Sequence, residues 1–250
     1  MSAVLAVERL SKRFGGLMAV NQLSFTVEEH EILGLIGPNG AGKSTVFNLV
    51  NGVFPPSQGT VHFRGADITG MQPFRVARAG LARTHQIVQP LTEMTVLENC
   101  IVGACFGREN LPLGKARATA REAAVFVGLE QRLDTPAGQL TIAGKKRLEL
   151  ARALAAEPTL LLLDEVLAGL NPTEVTHMIG VIRRIRERGI TILMIEHLMH
   201  AIMSLSDRIV VLNSGQLLAT GTPQEVANDP AVIEAYLGDP KLAEQLQGDG

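Results

Sequence analysis

The segment Gly37–Thr45, which has the sequence GPNGAGKST, constrains the fold of this chain more than any other feature. It matches the pattern G-x-x-x-x-G-K-[ST] in full, follows the apolar run Ile32–Ile36 and precedes the helix-like stretch Ser44–Val50. Glycines let such a loop curl so that several backbone N–H groups point at phosphate oxygens, and the N-terminus of the following helix adds partial positive charge. The sequence therefore predicts a phosphate-binding loop between a strand and a helix.

Two side chains of this loop point to a nucleotide that is bound together with a metal ion. Lys43 is expected to reach the β- and γ-phosphates of the nucleotide, and the Ser44 hydroxyl is expected to ligate Mg²⁺. A loop of this type binds largely through its backbone, so each of its residues is a candidate contact. These candidates are Gly37, Pro38, Asn39, Gly40, Ala41, Gly42, Lys43, Ser44 and Thr45.

An acidic pair follows a second apolar run. Leu160–Leu163 is a run of leucines that ends in Asp164 and Glu165. A carboxylate at the carboxyl edge of a strand beside the phosphate loop can hold Mg²⁺ through water, which is the role expected of Asp164. Glu165 can then activate the attacking water as a general base. The alternative is an ordinary surface pair of acids at the end of a strand.

The remaining pattern is that of an α/β protein. The apolar runs Leu160–Leu163 and Ile190–Ile195 flank the helical stretch Thr173–Arg188, as buried parallel strands joined by a helix do. Alternating apolar and polar residues in the first 30 positions and at Gly59–Thr69 predict strands with one covered face. The region from about 91 to 140 is rich in Ala, Glu and Arg and predicts a separate helical lobe.

Composition argues against several other classes of protein. The formal net charge of −2 lacks the basic excess that nucleic-acid binding usually requires. The N-terminus lacks the residue order of a signal peptide, and we find no run of about 20 uncharged apolar residues, so no membrane span is expected. Cys100 and Cys105 are too few for a disulfide framework and are expected to be reduced.

With these motifs, the chain resembles the nucleotide-binding subunits of ABC transporters over about residues 4–238. The resemblance lies in the phosphate loop, the Asp-Glu pair and three further motifs, LSKRFGG, RTHQ and MIEH. It implies that Phe14 stacks on the adenine of ATP and that Gln86 contacts Mg²⁺ and the catalytic water. It also implies that His197 touches the γ-phosphate.

The family's signature loop, Leu-Ser-Gly-Gly-Gln, is altered in this chain. The corresponding residues are Leu140-Thr141-Ile142-Ala143-Gly144. Thr141 keeps a hydroxyl that could bond the γ-phosphate, whereas Ala143 replaces a glycine whose N–H approaches phosphate closely. Whether the added methyl group is tolerated depends on the local φ angle. A further difference is Asn171, which stands where the family commonly has aspartate.

The resemblance also implies the domain organisation. One ABC ATPase domain is expected over 1–238, with a P-loop core and parallel sheet at about 31–56, 71–90 and 146–238. An antiparallel β subdomain is expected at about 1–30 and 57–70, and an inserted helical subdomain at about 91–145. Residues 239–250 are expected to form a flexible tail.

This chain carries a single set of ATPase motifs, and the need for partner chains follows from that. In this family the signature loop acts on ATP held by the opposite subunit, so a second ATPase chain is required. The resemblance further implies permease subunits in the membrane, indirect cooperation with a substrate-binding protein, and a peripheral location on the cytoplasmic face of the inner membrane. A groove around Gln86–Glu98 would receive a permease helix. Ile87, Val88 and Leu91 are its candidate contacts, or alternatively they pack between the subdomains.

Longer stretches, including RTHQIVQPLTEMTVLENC and GQLLATGTPQEVANDPAVIEAYLG, resemble the ATPases of branched-chain amino acid importers. In that group two different ATPase chains usually pair. Urea or amide importers and lipopolysaccharide exporters have related ATPases and remain alternatives. A soluble ABC ATPase is disfavoured because no coiled coil, zinc insertion or fused second half is visible. A scaffold without catalysis is disfavoured because Glu165 and His197 are present.

Overall fold

The computed structural model describes residues 3–86 and 88–236 of the 250-residue chain. The predicted permease contact Ile87 and the predicted tail 239–250 lie outside the described residues. In chain order the elements are β1 (Ala3–Phe14), β2 (Leu17–Glu28), β3 (Ile32–Ile36), α1 (Lys43–Val50), β4 (Gln58–Phe63), β5 (Ala66–Asp67), α2 (Pro73–Ala79), β6 (Leu81–Arg83), α3 (Val96–Phe106), α4 (Leu113–Phe126), α5 (Ile142–Ala155), β7 (Leu160–Asp164), α6 (Pro172–Glu187), β8 (Thr191–Ile195), α7 (Met199–Leu205), β9 (Arg208–Asn213), β10 (Gln216–Gly221), α8 (Pro223–Ala227) and α9 (Pro230–Tyr236). Short 3₁₀ turns occupy Glu130–Arg132 and Ala137–Gln139.

The chain forms two compact units. Of the described residues, 3–72 and 191–236 belong to the first unit, and 73–86 and 88–190 belong to the second. In the first unit, β1 pairs with β2 and β4 in an antiparallel sheet of order β2-β1-β4-β5. Burial alternates along the second half of β2, at Leu23, Phe25 and Val27, as predicted for a strand with one covered face, whereas the neighbouring residues Val4 and Leu5 of β1 are both buried.

A second set of strands in the first unit carries the phosphate loop. Here the order is β10-β9-β3-β8, with β3 parallel to both β8 and β9. Every residue of β3 and β8 is buried, as expected of strands in the middle of a parallel sheet. The loop therefore leaves the carboxyl end of an interior strand, the usual position of ligand sites in such sheets. Both strands match the predicted apolar runs to within one residue.

The second unit combines a strand pair with packed helices. β6 is parallel to β7, with Arg83 opposite Leu162, and all five residues of β7 are buried. The helices α3, α4 and α5 pack against one another. Helix α6 begins at a capping box in which Asn171 and Glu174 bond each other's backbone N–H groups. Helix capping therefore gives Asn171 a structural role.

Candidate functional site

The phosphate loop of the first unit holds its lysine inside the turn. The ammonium of Lys43 donates hydrogen bonds to the carbonyl oxygens of Gly37, at 2.7 Å, and Pro38, at 3.1 Å. The residue is only 7% exposed. The ammonium is thus fixed against the loop's own backbone, with its charge at the start of α1.

Two glycines of the loop are required by close backbone contacts. Gly37 and Gly42 have φ angles of 152° and 101°. A Cβ at Gly42 would lie 2.5 Å from the carbonyl oxygen of Ala19, and one at Gly37 would clash with that of Leu212. At Gly40, by contrast, no described atom lies within 4 Å of the Cβ position. The loop is therefore packed tightly at its two ends and open at its middle.

The N-terminus of α1 is suited to an anion. Gly42, which has no side chain, stands at the N-cap, and the first turn of the helix contains no acidic residue. Its partial positive charge is therefore not offset within the turn. Ser44 is exposed and Thr45 is half-buried, so the Ser44 hydroxyl is open to a ligand.

A buried aromatic side chain from the C-terminal region lies beside the loop. The ring of Tyr236 in α9 is buried, with 1% exposure, and lies beside the backbone of Gly37. Burial raises the pKa of the Tyr236 phenol well above its usual range, so the group stays protonated. Sequence reasoning missed this residue because nothing local marks a tyrosine so far from the loop as its neighbour.

The candidate adenine contact lies at the end of β1. Phe14 is 40% exposed and packs edge-to-face on Phe54, with ring centroids 5.4 Å apart. The ammonium of Lys12 lies 5.1 Å from the centroid of the Phe14 ring. An exposed ring fixed by a second ring can stack on a planar base.

His197 belongs to the same unit. It is half-buried and follows the buried strand β8 and Glu196. The structure thus places it just beyond the carboxyl end of a strand parallel to β3.

In the second unit, Asp164 ends β7 and forms an ion pair with Arg83. The distance from Arg83 Nη2 to Asp164 Oδ2 is 2.7 Å, and both side chains are buried. The other oxygen, Oδ1, is buried and has no hydrogen-bond partner among the residues that the structure describes. A buried carboxylate oxygen without a donor is costly unless water or a cation satisfies it, so Asp164 fits a metal-linked role.

Glu165, the next residue, has a strained backbone and a fixed side chain. Its φ angle is 50°, in the left-handed region that residues other than glycine rarely adopt. The side-chain amide of Gln86 donates to Glu165 Oε2 at 2.7 Å. The ammonium of Lys146 donates to the Glu165 carbonyl oxygen at 2.8 Å. The structure therefore brings together two residues that the sequence nominated separately, Glu165 and Gln86.

The altered signature loop forms the first turn of α5. Thr141 is the N-cap, and its hydroxyl oxygen accepts the Gly144 N–H at 3.2 Å, which leaves the hydroxyl hydrogen free to donate. Ala143 has no positive φ angle and is 6% exposed, so its methyl group packs inward rather than outward. Ile142, between them, is 66% exposed.

A buried group of charges surrounds these residues in the second unit. Glu149, which is 4% exposed, accepts the backbone N–H of His85 at 2.7 Å. Burial raises the pKa of Glu149, and the His85 hydrogen bond acts in the opposite direction. His85 itself is exposed; partial desolvation, followed by the charges of Arg83 and Arg152, lowers the pKa of its side chain. Sequence reasoning missed Arg83, Lys146 and Glu149 because their partners are distant in the chain.

No group of three or more His, Cys, Asp or Glu side chains that could hold a metal ion occurs within residues 3–86 and 88–236. In the same described ranges, no helix has the length and apolar character needed to cross a membrane.

Comparison with known proteins decides the family. The family model described as "ABC transporter" matches residues 20–168. The chain belongs to the ABC transporter family. With it, the predicted α/β fold class, the family and the ATPase activity are confirmed. A second model, described as "Branched-chain amino acid ATP-binding cassette transporter", matches residues 216–241.

Curated relatives match over nearly the whole chain. LivG of Salmonella typhimurium, a high-affinity branched-chain amino acid transport ATP-binding protein, is 42% identical over 94% of this chain and 98% of its own length. BraF of Pseudomonas aeruginosa, described in the same words, is 40% identical over the same shares of the two chains. Among solved structures, the ADP form of MJ1267, an ATP-binding cassette of an ABC transporter, superposes with a TM-score of 0.87. It is 32% identical and covers 96% of this chain and 100% of its own.

Proposed function

We propose that this chain is the ATP-hydrolysing subunit of an importer of branched-chain or related amino acids. The observation that carries the proposal is the match to LivG and BraF across nearly their full lengths. The second family model, at residues 216–241, supports the same subgroup in a region without nucleotide motifs. ATP-driven closure of a dimer would be coupled to permease subunits, because a ligand that favours the closed state shifts the population toward it.

The phosphates of ATP are assigned to the loop from Gly37 to Thr45. Its open middle at Gly40, the N-terminus of α1 and the buried Lys43 ammonium supply backbone donors and positive charge. The ring of Phe14, which is exposed and packs against Phe54, is assigned to stacking on the adenine. Here Lys43 would exchange its bonds to loop carbonyls for bonds to phosphate oxygens.

Mg²⁺ is assigned to Ser44, Gln86 and Asp164. Asp164 supports this assignment through its buried, unsatisfied Oδ1, while Arg83 holds its other oxygen. Ser44 supports it through its exposed hydroxyl. When bound, the ion neutralises charge on the β- and γ-phosphates.

Hydrolysis is assigned to Glu165, with Gln86 and His197 as assisting residues. The Glu165 carboxylate would take a proton from the attacking water, and its hydrogen bond from Gln86 fixes the direction in which its oxygens point. His197 would donate to the γ-phosphate.

The signature loop is assigned to ATP held by a second ATPase chain. Thr141 can donate its hydroxyl hydrogen to the γ-phosphate while its oxygen caps α5. The inward methyl of Ala143 does not project from this turn, where Ile142 is the exposed side chain. The altered loop is therefore compatible with an active partner site, although it departs from the family's usual sequence.

Replacing Thr141 with alanine is expected to affect both stability and turnover. The loss of the N-cap should lower the free energy of unfolding by about 1 kcal/mol. The loss of a hydroxyl donor to a charged phosphate should reduce ATP turnover of the assembled dimer by about tenfold or more. Urea unfolding and steady-state phosphate release measure the two effects. Thr141→Ser keeps the hydroxyl and should retain both properties. Equal turnover in the alanine and serine variants would contradict the assignment.

The remaining partners are permease subunits, reached at the cytoplasmic face of the inner membrane, and indirectly a substrate-binding protein. Leu91 is 42% exposed and Val88 is half-buried. The exposure of Leu91 favours contact with a permease helix over internal packing for that residue. A different ATPase chain is the partner expected within the dimer.

Uptake of radiolabelled amino acids tests the proposed cargo. A strain of the source organism that lacks this chain should lose high-affinity uptake of leucine, isoleucine and valine, and expression of the chain from a plasmid should restore it. Urea and short amides serve as comparison cargoes. Unchanged uptake of all three amino acids together with lost urea uptake would favour the related urea importers instead.

A further inference from the structure

The backbone of the candidate base needs support from outside its own strand. Glu165 adopts a φ angle of 50°, which places a non-glycine residue in a sparsely populated conformation. Such conformations persist when surrounding contacts hold them, and they occur often at active sites. The Glu165 carbonyl receives a weak bond from the Ala168 N–H at 3.3 Å and a shorter one, at 2.8 Å, from Lys146.

Lys146 is a charged residue at a buried position of a helix. It lies in α5, the helix that starts at the signature loop, and it is 8% exposed. A buried ammonium is costly unless it is paired or hydrogen-bonded, so this lysine is not simply a solvent-facing residue of α5. Its bond to Glu165 joins the signature helix directly to the turn that carries the base.

Glu149, one helical turn further along α5, makes a parallel connection. Positions three residues apart share one helix face. The Glu149 carboxylate accepts a hydrogen bond from the backbone N–H of His85 at 2.7 Å. The next residue, Gln86, donates a hydrogen bond to Glu165 Oε2 at 2.7 Å. One face of α5 therefore contacts Glu165 directly and indirectly. Lys146 bonds the Glu165 backbone, and Glu149 holds the segment whose Gln86 bonds the Glu165 carboxylate.

We propose that Lys146 is a positioning residue for ATP hydrolysis: its hydrogen bond holds the backbone of the base Glu165 against α5. Glu149, on the same face of α5, fixes the segment His85–Gln86, whose glutamine contacts the Glu165 carboxylate. The proposal rests on the proposed role of Glu165. Because α5 is a continuous helix of 14 residues, a nucleotide contact at its first turn is mechanically linked to the base of the same subunit. Neither side chain is required to touch the nucleotide.

The test uses the transporter assembled in liposomes with Lys146→Met, which keeps the apolar stem and removes the ammonium. We expect kcat for ATP to fall about tenfold to 100-fold, since small displacements of a catalytic group are costly, while the ATP dissociation constant stays within about twofold. Lys146→Arg restores a charged donor and should recover part of the rate. The matched control is Lys115→Met, at an exposed lysine of α4, which should retain the parent rate.

A double variant separates positioning from general stability. Once Glu165→Gln has removed the base, adding Lys146→Met should lower the residual rate by less than about twofold, because residues that act as a unit are not additive. A purely structural lysine would instead lower the rate by the same factor in both backgrounds. If Lys146→Met does not fold, Lys146→Gln carries the same comparison, because it removes the charge and its amide nitrogen falls one bond short of the Glu165 carbonyl oxygen.

The outcomes of this series distinguish the two proposals. Parental turnover in Lys146→Met, or an equal loss in both backgrounds, would overturn the positioning role even if Glu165→Gln is inactive. Parental turnover in Glu165→Gln itself would instead reject the proposed function of the base.

Discussion

Glu165→Gln is expected to lower ATP turnover by about 10²–10⁴-fold, the usual contribution of a general base. Glutamine has almost the same shape as glutamate and keeps an oxygen that can accept the hydrogen bond from Gln86, now seen at 2.7 Å. It cannot take a proton from water at neutral pH. Nucleotide binding should therefore survive, and the variant should remain in the closed, ATP-bound dimer. Steady-state phosphate release gives the rate, and size-exclusion chromatography with ATP gives the fraction of dimer.

The control for this variant is Glu187→Gln, an equal change of charge at an exposed position in the last turn of α6. It should hydrolyse ATP at the parent rate and show no accumulation of dimer. A Glu165→Gln complex that also hydrolyses ATP at the parent rate would reject Glu165 as the base.

Lys43→Ala is expected to weaken ATP binding at this site severely. Charge-assisted hydrogen bonds contribute about 1.5–3 kcal/mol each, so the loss of the ammonium should weaken binding by one to two orders of magnitude or more. The same change removes two internal bonds, to Gly37 and Pro38, so the loop also loses preorganisation. Isothermal titration calorimetry with ATP and Mg²⁺ measures the affinity directly.

Because Lys43 is buried, the variant needs a check of its folding. Its circular dichroism spectrum should match that of the parent, and Lys115→Ala, at an exposed lysine, should bind ATP normally. A folded Lys43→Ala variant with undiminished affinity would count against the assignment of the loop.

Most of the fold could be predicted because its signals are local. The apolar runs at Ile32–Ile36 and Leu160–Leu163 become β3 and β7, and the stretch Thr173–Arg188 becomes α6, which begins and ends one residue earlier. Burial on both faces leaves no polar alternation in such strands, so a short continuous run is enough to identify them. Caps such as Asn171 with Glu174 fix a helix start from adjacent residues alone.

The candidate site could be predicted only where a motif carries it. The loop from Gly37 to Thr45 and the pair Asp164-Glu165 are continuous in sequence, so their chemistry can be inferred directly. Contacts between distant residues could not be inferred. The contacts of Arg83 with Asp164 and of Lys146 with Glu165 depend on tertiary packing, and no spacing rule in one sequence encodes them.

The other site assignments all depend on the binding of the ATP phosphates by the backbone of the Gly37–Thr45 loop. Nuclear magnetic resonance of the ¹⁵N-glycine-labelled chain tests it directly, with ATP and Mg²⁺ added in one titration and adenosine in another. Large shifts of the Gly40 and Gly42 amide resonances are expected with ATP, and none of comparable size is expected with adenosine. Unchanged resonances of both glycines in a sample that binds ATP would contradict it.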